Sequence, residues 1–172
     1  MSEPHRRRLD VMLDEDYLDG LDARPLDEVR AMHEECLEVE TEVSYVRRLA
    51  QARIDIVSAE LDRRSAGRSV GDLVAMLPQI LADEAPRSDP AHSRLPRHLA
   101  PSMSIPWRRG LEELITDSTL VNLPTISDDE LRDTLEQLGI LEREMSGRRR
   151  ALHGVIDRIE ADLAARHRLD HV

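Results

Sequence analysis

The chain contains no phenylalanine, one tryptophan and two tyrosines in 172 residues. That scarcity argues against a compact β-rich enzyme, because aromatic side chains are among those that strands favour. A single cysteine, Cys36, excludes an intramolecular disulfide and fits a reducing compartment. No uninterrupted apolar run approaches the roughly 20 residues that a bilayer requires, and Met1–Asp10 lacks the apolar stretch of a signal peptide. The expectation is a soluble cytoplasmic protein without a membrane association. Positive charge is also short: 24 Lys and Arg stand against 35 Asp and Glu, a formal net charge of −11. Direct DNA or RNA binding is therefore not expected, and a basic protein partner fits better. Metal ligands are too few as well. His33 and Cys36 have the spacing of two ligands on one helical face, but no further pair completes a site, and no metal is expected.

What the chain does have is charge and helix formers. Charged residues make up 34% of it, and Leu, Ala, Glu and Arg are abundant, a composition typical of long amphipathic helices. Residues 1–24 run from a basic cluster (His5 to Arg8) into an acidic one (Asp14 to Asp16) and read as a flexible arm. Residues 25–172 read as a single helical domain. Pro25 suits a first helical turn, Asp27 and Glu28 complement the helix dipole, and Ser65-Ala66-Gly67 supplies a stop, predicting a long helix over about 26–65. The connector over about 66–126 holds short helices near 70–82, interrupted by Pro78, and near 110–117, around a Pro-rich linker between Ala85 and Pro106. Ser127-Asp-Asp-Glu130 is a capping box opening a second long helix over about 127–166.

A polar repeat lies on the two long helices. Glu40-x3-Ser44-x2-Arg47-x3-Gln51-x3-Asp55 recurs 102 residues later as Glu142-x3-Ser146-x2-Arg149-x3-His153-x3-Asp157, with four of five identities. Steps of 4, 3, 4 and 4 keep the five positions within an arc of about 80°, a stripe roughly 22 Å long. Each stripe flanks an apolar seam at the same offset: Cys36, Val43, Ala50, Ile54, Val57 and Leu61 in one helix, and Leu138, Leu141, Met145, Leu152, Ile156, Ile159 and Leu163 in the other. Two antiparallel helices related by a dyad perpendicular to their plane bring such stripes onto one face. The predicted fold is therefore all-α, with two long helices in an antiparallel coiled-coil hairpin.

A single stripe of this kind is an ordinary solvated helix face. Two copies at fixed spacing suggest a surface that needs particular groups at particular heights. The residue types suit a guanine nucleotide: a carboxylate accepts from guanine N1 and N2 hydrogens, Arg donates to O6, N7 or phosphate, and Gln or His adds a polar contact. Arg48, Arg148 and Arg150 are candidate auxiliary phosphate contacts. In a register with Glu40 opposite Asp157, Arg47 and Arg149 meet near the dyad and repel, an arrangement that a bound polyanion relieves.

These residues resemble the RsiG family of actinobacterial anti-sigma factors, marked by a twice-occurring E-x3-S-x2-R-x3-Q-x3-D motif on two helices of an antiparallel coiled coil. The resemblance covers mainly residues 26–65 and 127–166. It implies binding of cyclic di-GMP as an intercalated dimer, with Glu40, Ser44, Arg47, Gln51 and Asp55 as one half-site and Glu142, Ser146, Arg149, His153 and Asp157 as the other. It further implies that the liganded protein, one chain per sigma factor, sequesters a WhiG-type sporulation sigma factor and so inhibits transcription, with no catalytic activity. Scarce aromatics fit a ligand that stacks on itself, since single-base sites commonly use aromatic platforms. His153 departs from the pattern's Gln: an imidazole lacks the amide's oxygen and NH2 fork and changes charge in the physiological pH range. The competing expectation is a structural coiled-coil adaptor with no small ligand.

Overall fold

The computed structural model describes residues 8–82 and 122–169, and among them every regular element is a helix. In chain order these are α1 (Arg8–Met12), α2 (Leu26–Ser65), α3 (Val70–Ala82) and α4 (Asp128–Leu169), with short 3-10 turns at Glu15–Leu18, Leu21–Ala23 and Leu123–Thr125. The two long helices pack against each other, as the twin apolar seams require. The Pro-rich linker and the short helix expected at 110–117 lie outside the described residues.

Local chemistry sets the boundaries. The amide of Val29 closes the first turn of α2 onto the Pro25 carbonyl, and Asp27 and Glu28 sit at its positive end. At the other end Gly67 adopts φ +64°, where a side chain would be strained. There the Arg68 amide reaches the Arg63 carbonyl and the Gly67 amide reaches Arg64, a Schellman closure. Ser69 opens α3 with its amide and hydroxyl on Asp72. Pro78 lies inside α3, which continues to Ala82. Ser127 and Glu130 form the expected capping box at α4: the Ser127 amide and hydroxyl donate to the Glu130 carboxylate, and the Glu130 amide returns a bond to Ser127 Oγ.

The buried positions of α2 alternate by three and four residues: Val29, Met32, Cys36, Val39, Val43, Val46, Ala50, Arg53, Val57 and Glu60. In α4, Leu131, Leu138, Met145, Leu152 and Ile159 recur every seven residues, with Leu141 and Ile156 between them. This is the heptad pattern of a coiled-coil seam. Two of its α2 positions carry charge: Arg53 is 6% exposed and Glu60 is 1% exposed.

The chain divides into two compact units, Met1–Ser44 with Met145–Val172, and Tyr45–Glu144, so each long helix contributes to both. In the first unit the helices run antiparallel: His33 bonds Glu160 at 3.0 Å, while Glu40, further along α2, meets Arg149 and His153, earlier in α4. Of the flexible arm expected over residues 1–24, residues 1–7 lie outside the described residues, and residues 8–24 make contacts with both long helices. Met12 is 2% exposed, Arg8 bonds Glu35 and Glu38, Asp10 bonds Arg148, and the Tyr17 hydroxyl lies 3.7 Å from Cys36 Sγ. Arg166 from α4 donates to the carbonyls of Leu21, Asp22 and Arg24. Burial of one methionine and a set of charge-assisted hydrogen bonds, spread thinly along a polar segment, dock it without any local periodicity.

In the second unit α2 and α4 are again antiparallel, with Arg47 near Glu142 and Arg64 near Asp128. Val57, Leu123 and Leu131 form its core at this end, covered by Ile56, Ala59, Leu61, Ile126 and Leu135. Beside them Glu60 accepts from Arg63 and Arg64, and Arg64 extends to the carbonyls of Leu123 and Ile126 and to Asp128. The hydrogen bonds of Arg63 first, and those of Arg64 against the opposing effect of burial, hold the Glu60 carboxyl down at about 2.

Candidate functional site

The repeat positions, Asp157 excepted, sit on the half-buried flank of the seam. In the first unit, Glu40 Oε1 accepts from Ser44 Oγ at 2.7 Å, from Arg149 Nε at 2.9 Å and from His153 Nε2 at 3.1 Å. Arg149 Nε also reaches Ser44 Oγ at 2.8 Å. Residues from both copies of the repeat thus converge on one carboxylate. Burial alone would raise the pKa of Glu40, but the bonds from Ser44, His153 and Arg149 outweigh it and keep the group below the ordinary carboxylate range. Ser146 is half-buried and Asp157 exposed in the same unit.

The second unit holds the reciprocal pair. Arg47 Nη1 lies 3.8 Å from Glu142 Oε1, a distance for charge attraction rather than a hydrogen bond, and Arg47 Nε is buried without a hydrogen-bond partner among the described residues. Gln51 Nε2 donates to Asp55 Oδ1 one turn along α2, at 3.3 Å. In each unit, therefore, the arginine of one copy faces the glutamate of the other.

This corrects the assumed register. Glu40 meets Arg149 and His153, roughly two turns and one turn before Asp157. Each arginine finds a carboxylate within its own unit, Arg149 on Glu40 at 2.9 Å and Arg47 near Glu142 at 3.8 Å. Seam packing sets that register, and the unlike charges agree with it. Among the auxiliary candidates, Arg148 is drawn to Asp10 of α1 at 3.2 Å, Arg48 is half-buried and Arg150 is exposed. The His33 and Cys36 pair considered as metal ligands is separated by its partners, His33 facing Glu160 and Cys36 facing Tyr17. No group of three or more metal-capable side chains occurs among the described residues.

Two antiparallel helices that bring matched Glu-Ser-Arg repeats against each other narrow the field to proteins with the same duplicated pattern. The RsiG-like family model matches residues 15–81 and 117–172. The chain belongs to the RsiG-like family. The match takes in both copies of the repeat and also most of α3 and the turns of residues 15–24, which lie outside the residues that mainly carried the earlier resemblance. No curated protein sequence matches the chain. Membership of the RsiG-like family points to an anti-sigma factor role, regulatory rather than enzymatic, with a sigma factor as partner. Among the described residues no helix is long and apolar enough to cross a membrane.

Sequence reasoning missed three parts of this RsiG-like chain: the docked segment 8–24, the Glu60–Arg63–Arg64 cluster, and the burial of Arg53. The strict three-four alternation of α2 was a signal for the last two, since Arg53 and Glu60 fall on its beat. Segment 8–24 carried only a weaker one, in Met12 and Tyr17 among charges.

Proposed function

We propose that the repeated motif binds cyclic di-GMP and that the liganded protein sequesters a WhiG-type sigma factor, holding it from transcription. In this reading Glu40, Ser44, Ser146, Arg149, His153 and Asp157 in the first unit, and Arg47, Gln51, Asp55 and Glu142 in the second, supply the nucleotide contacts. The carboxylates accept from the guanine N1 and N2 edge, and the arginines donate to phosphate or to O6 and N7. The convergence of Ser44, Arg149 and His153 on Glu40 is the observation that supports it, because residues of both copies of the repeat meet there at one carboxylate. Ligand bound more tightly to the sigma-competent state strengthens sigma binding by linkage, and a fall in ligand concentration releases the factor.

The same ion pairs favour a second reading. Glu40 and Arg149 satisfy each other without a ligand, as they would in a structural coiled-coil adaptor. Calorimetric titration with cyclic di-GMP, with and without the sigma factor, separates the two. Heat and ligand-dependent capture are expected; their absence in both titrations leaves the adaptor.

A further inference from the structure

α3 leaves α2 through the Gly67 turn and carries an apolar stripe of its own. At 100° per residue, Met76, Ile80, Leu73, Leu77, Leu81 and Val74 fall within an arc of about 160° on this helix of 13 residues. Val74 and Met76, at the two margins of the arc, are 61% and 39% exposed, and Leu77 between them is half-buried. Among the described residues, the core of Val57, Leu123 and Leu131 takes no member from α3. A helix this short with Pro78 inside it is marginal alone, so the stripe needs cover. We propose that α3 is a docking helix, laid by this stripe into an apolar groove of the sigma factor. The inference rests on the sigma-capture reading above and adds a surface for that grip.

Two observations select this occupant. The first is charge. Asp72 is the one charged residue within α3, and it is taken by the amide and hydroxyl of Ser69 at the helix start. Arg68, just before the helix, sets its Nη1 4.0 Å from Met76 Sδ at one margin of the stripe. The chain's net charge of −11 is therefore carried elsewhere, and α3 suits an apolar groove rather than the basic surface that overall charge alone would select. The spacing of Leu73, Leu77 and Ile80, by four and three residues, is that of a helix read by a groove. The second observation is the extent of the family match, which runs through α3 to Leu81 and resumes at Asp117. A helix inside the matched region fits the partner common to an anti-sigma family better than a connector outside the match, residues 82–116.

The test measures binding of a WhiG-type sigma factor to the full chain in saturating cyclic di-GMP, by surface plasmon resonance. Val74→Gln and Met76→Gln together should raise the dissociation constant at least about tenfold, while titration of that variant with cyclic di-GMP alone matches the wild-type protein. Ile140→Gln, at a 52% exposed apolar position on α4, should stay within about twofold. The tenfold ratio should persist at about 0.5 M salt, because it reads apolar burial. Hydrogen exchange of the wild-type chain should show the α3 amides gaining at least about tenfold protection when the sigma factor is added, and this readout decides if the variant disturbs the helix. Capture by the double variant within about twofold of wild type, a ratio that vanishes in salt, or α3 exchange unchanged by the sigma factor overturns the inference and leaves the sigma-capture reading standing. Protection of α3 in the free chain that grows with protein concentration also overturns it, assigning the stripe to a second copy. No capture by the wild-type chain, with or without cyclic di-GMP, overturns both.

Discussion

Replacing Glu60 with glutamine removes one charge and almost no volume from the best-buried carboxylate among the described residues. Its side chain is 2% exposed and accepts from Arg63 Nε and Nη2 at 2.7 and 2.8 Å and from Arg64 Nε at 2.6 Å. The gap between about 2 in the fold and the ordinary 4.5 converts, at about 1.4 kcal/mol per pH unit, to about 3 kcal/mol of stability. Because the folded value is depressed, this contribution is complete above the unfolded value of 4.5 and fades as pH falls through that value toward about 2. The difference between Glu60→Gln and the parent should therefore be about 3 kcal/mol at neutral pH and about half of that near pH 3. Urea denaturation followed by far-ultraviolet circular dichroism at both pH values measures it. A difference below about 1 kcal/mol at neutral pH, or one that does not shrink on acidification, refutes the claim that the two guanidinium groups hold this carboxylate ionised.

On the proposed function, Arg149→Ala should leave helicity nearly unchanged and weaken sigma capture in the presence of cyclic di-GMP by at least about tenfold, the scale of a lost charge-assisted contact; wild-type capture by the variant would remove Arg149 from the proposed site. Met12→Ala should cost about 2–3 kcal/mol by opening a cavity under α1, seen in thermal unfolding and as faster proteolysis within residues 8–24. Ser127→Ala should cost about 1 kcal/mol by breaking the capping box at α4, measured by chemical denaturation. Glu40→Gln should lose stability most above the ordinary carboxylate range and approach the parent in acid, because the folded pKa of Glu40 is depressed; a difference that grows in acid contradicts the donor set assigned to that carboxylate.

The long helices, their caps and the twin stripes were legible because each is written in local order. A heptad beat, a Ser-x-x-Glu box and a glycine stop act within one or two turns, and Val29 through Val57 keep that beat almost without interruption. The identity of the candidate residues was legible for the same reason, since helical geometry alone puts Glu40, Ser44 and Arg47 on one side. What stayed hidden depends on which residue faces which across the seam. Glu40 against Arg149 and His153 is a choice of register, and several registers bury similar apolar residues while changing every polar partner. The docking of residues 8–24 likewise turns on partners far away in sequence, such as Glu35, Arg148 and Arg166. The sequence by itself determined two helices with a polar stripe beside each seam, because side-chain direction repeats along the backbone. Only the tertiary structure decided that each arginine is held by the other copy's glutamate and that His153 crosses to Glu40, because those pairings are energies of contact between segments about a hundred residues apart in the chain.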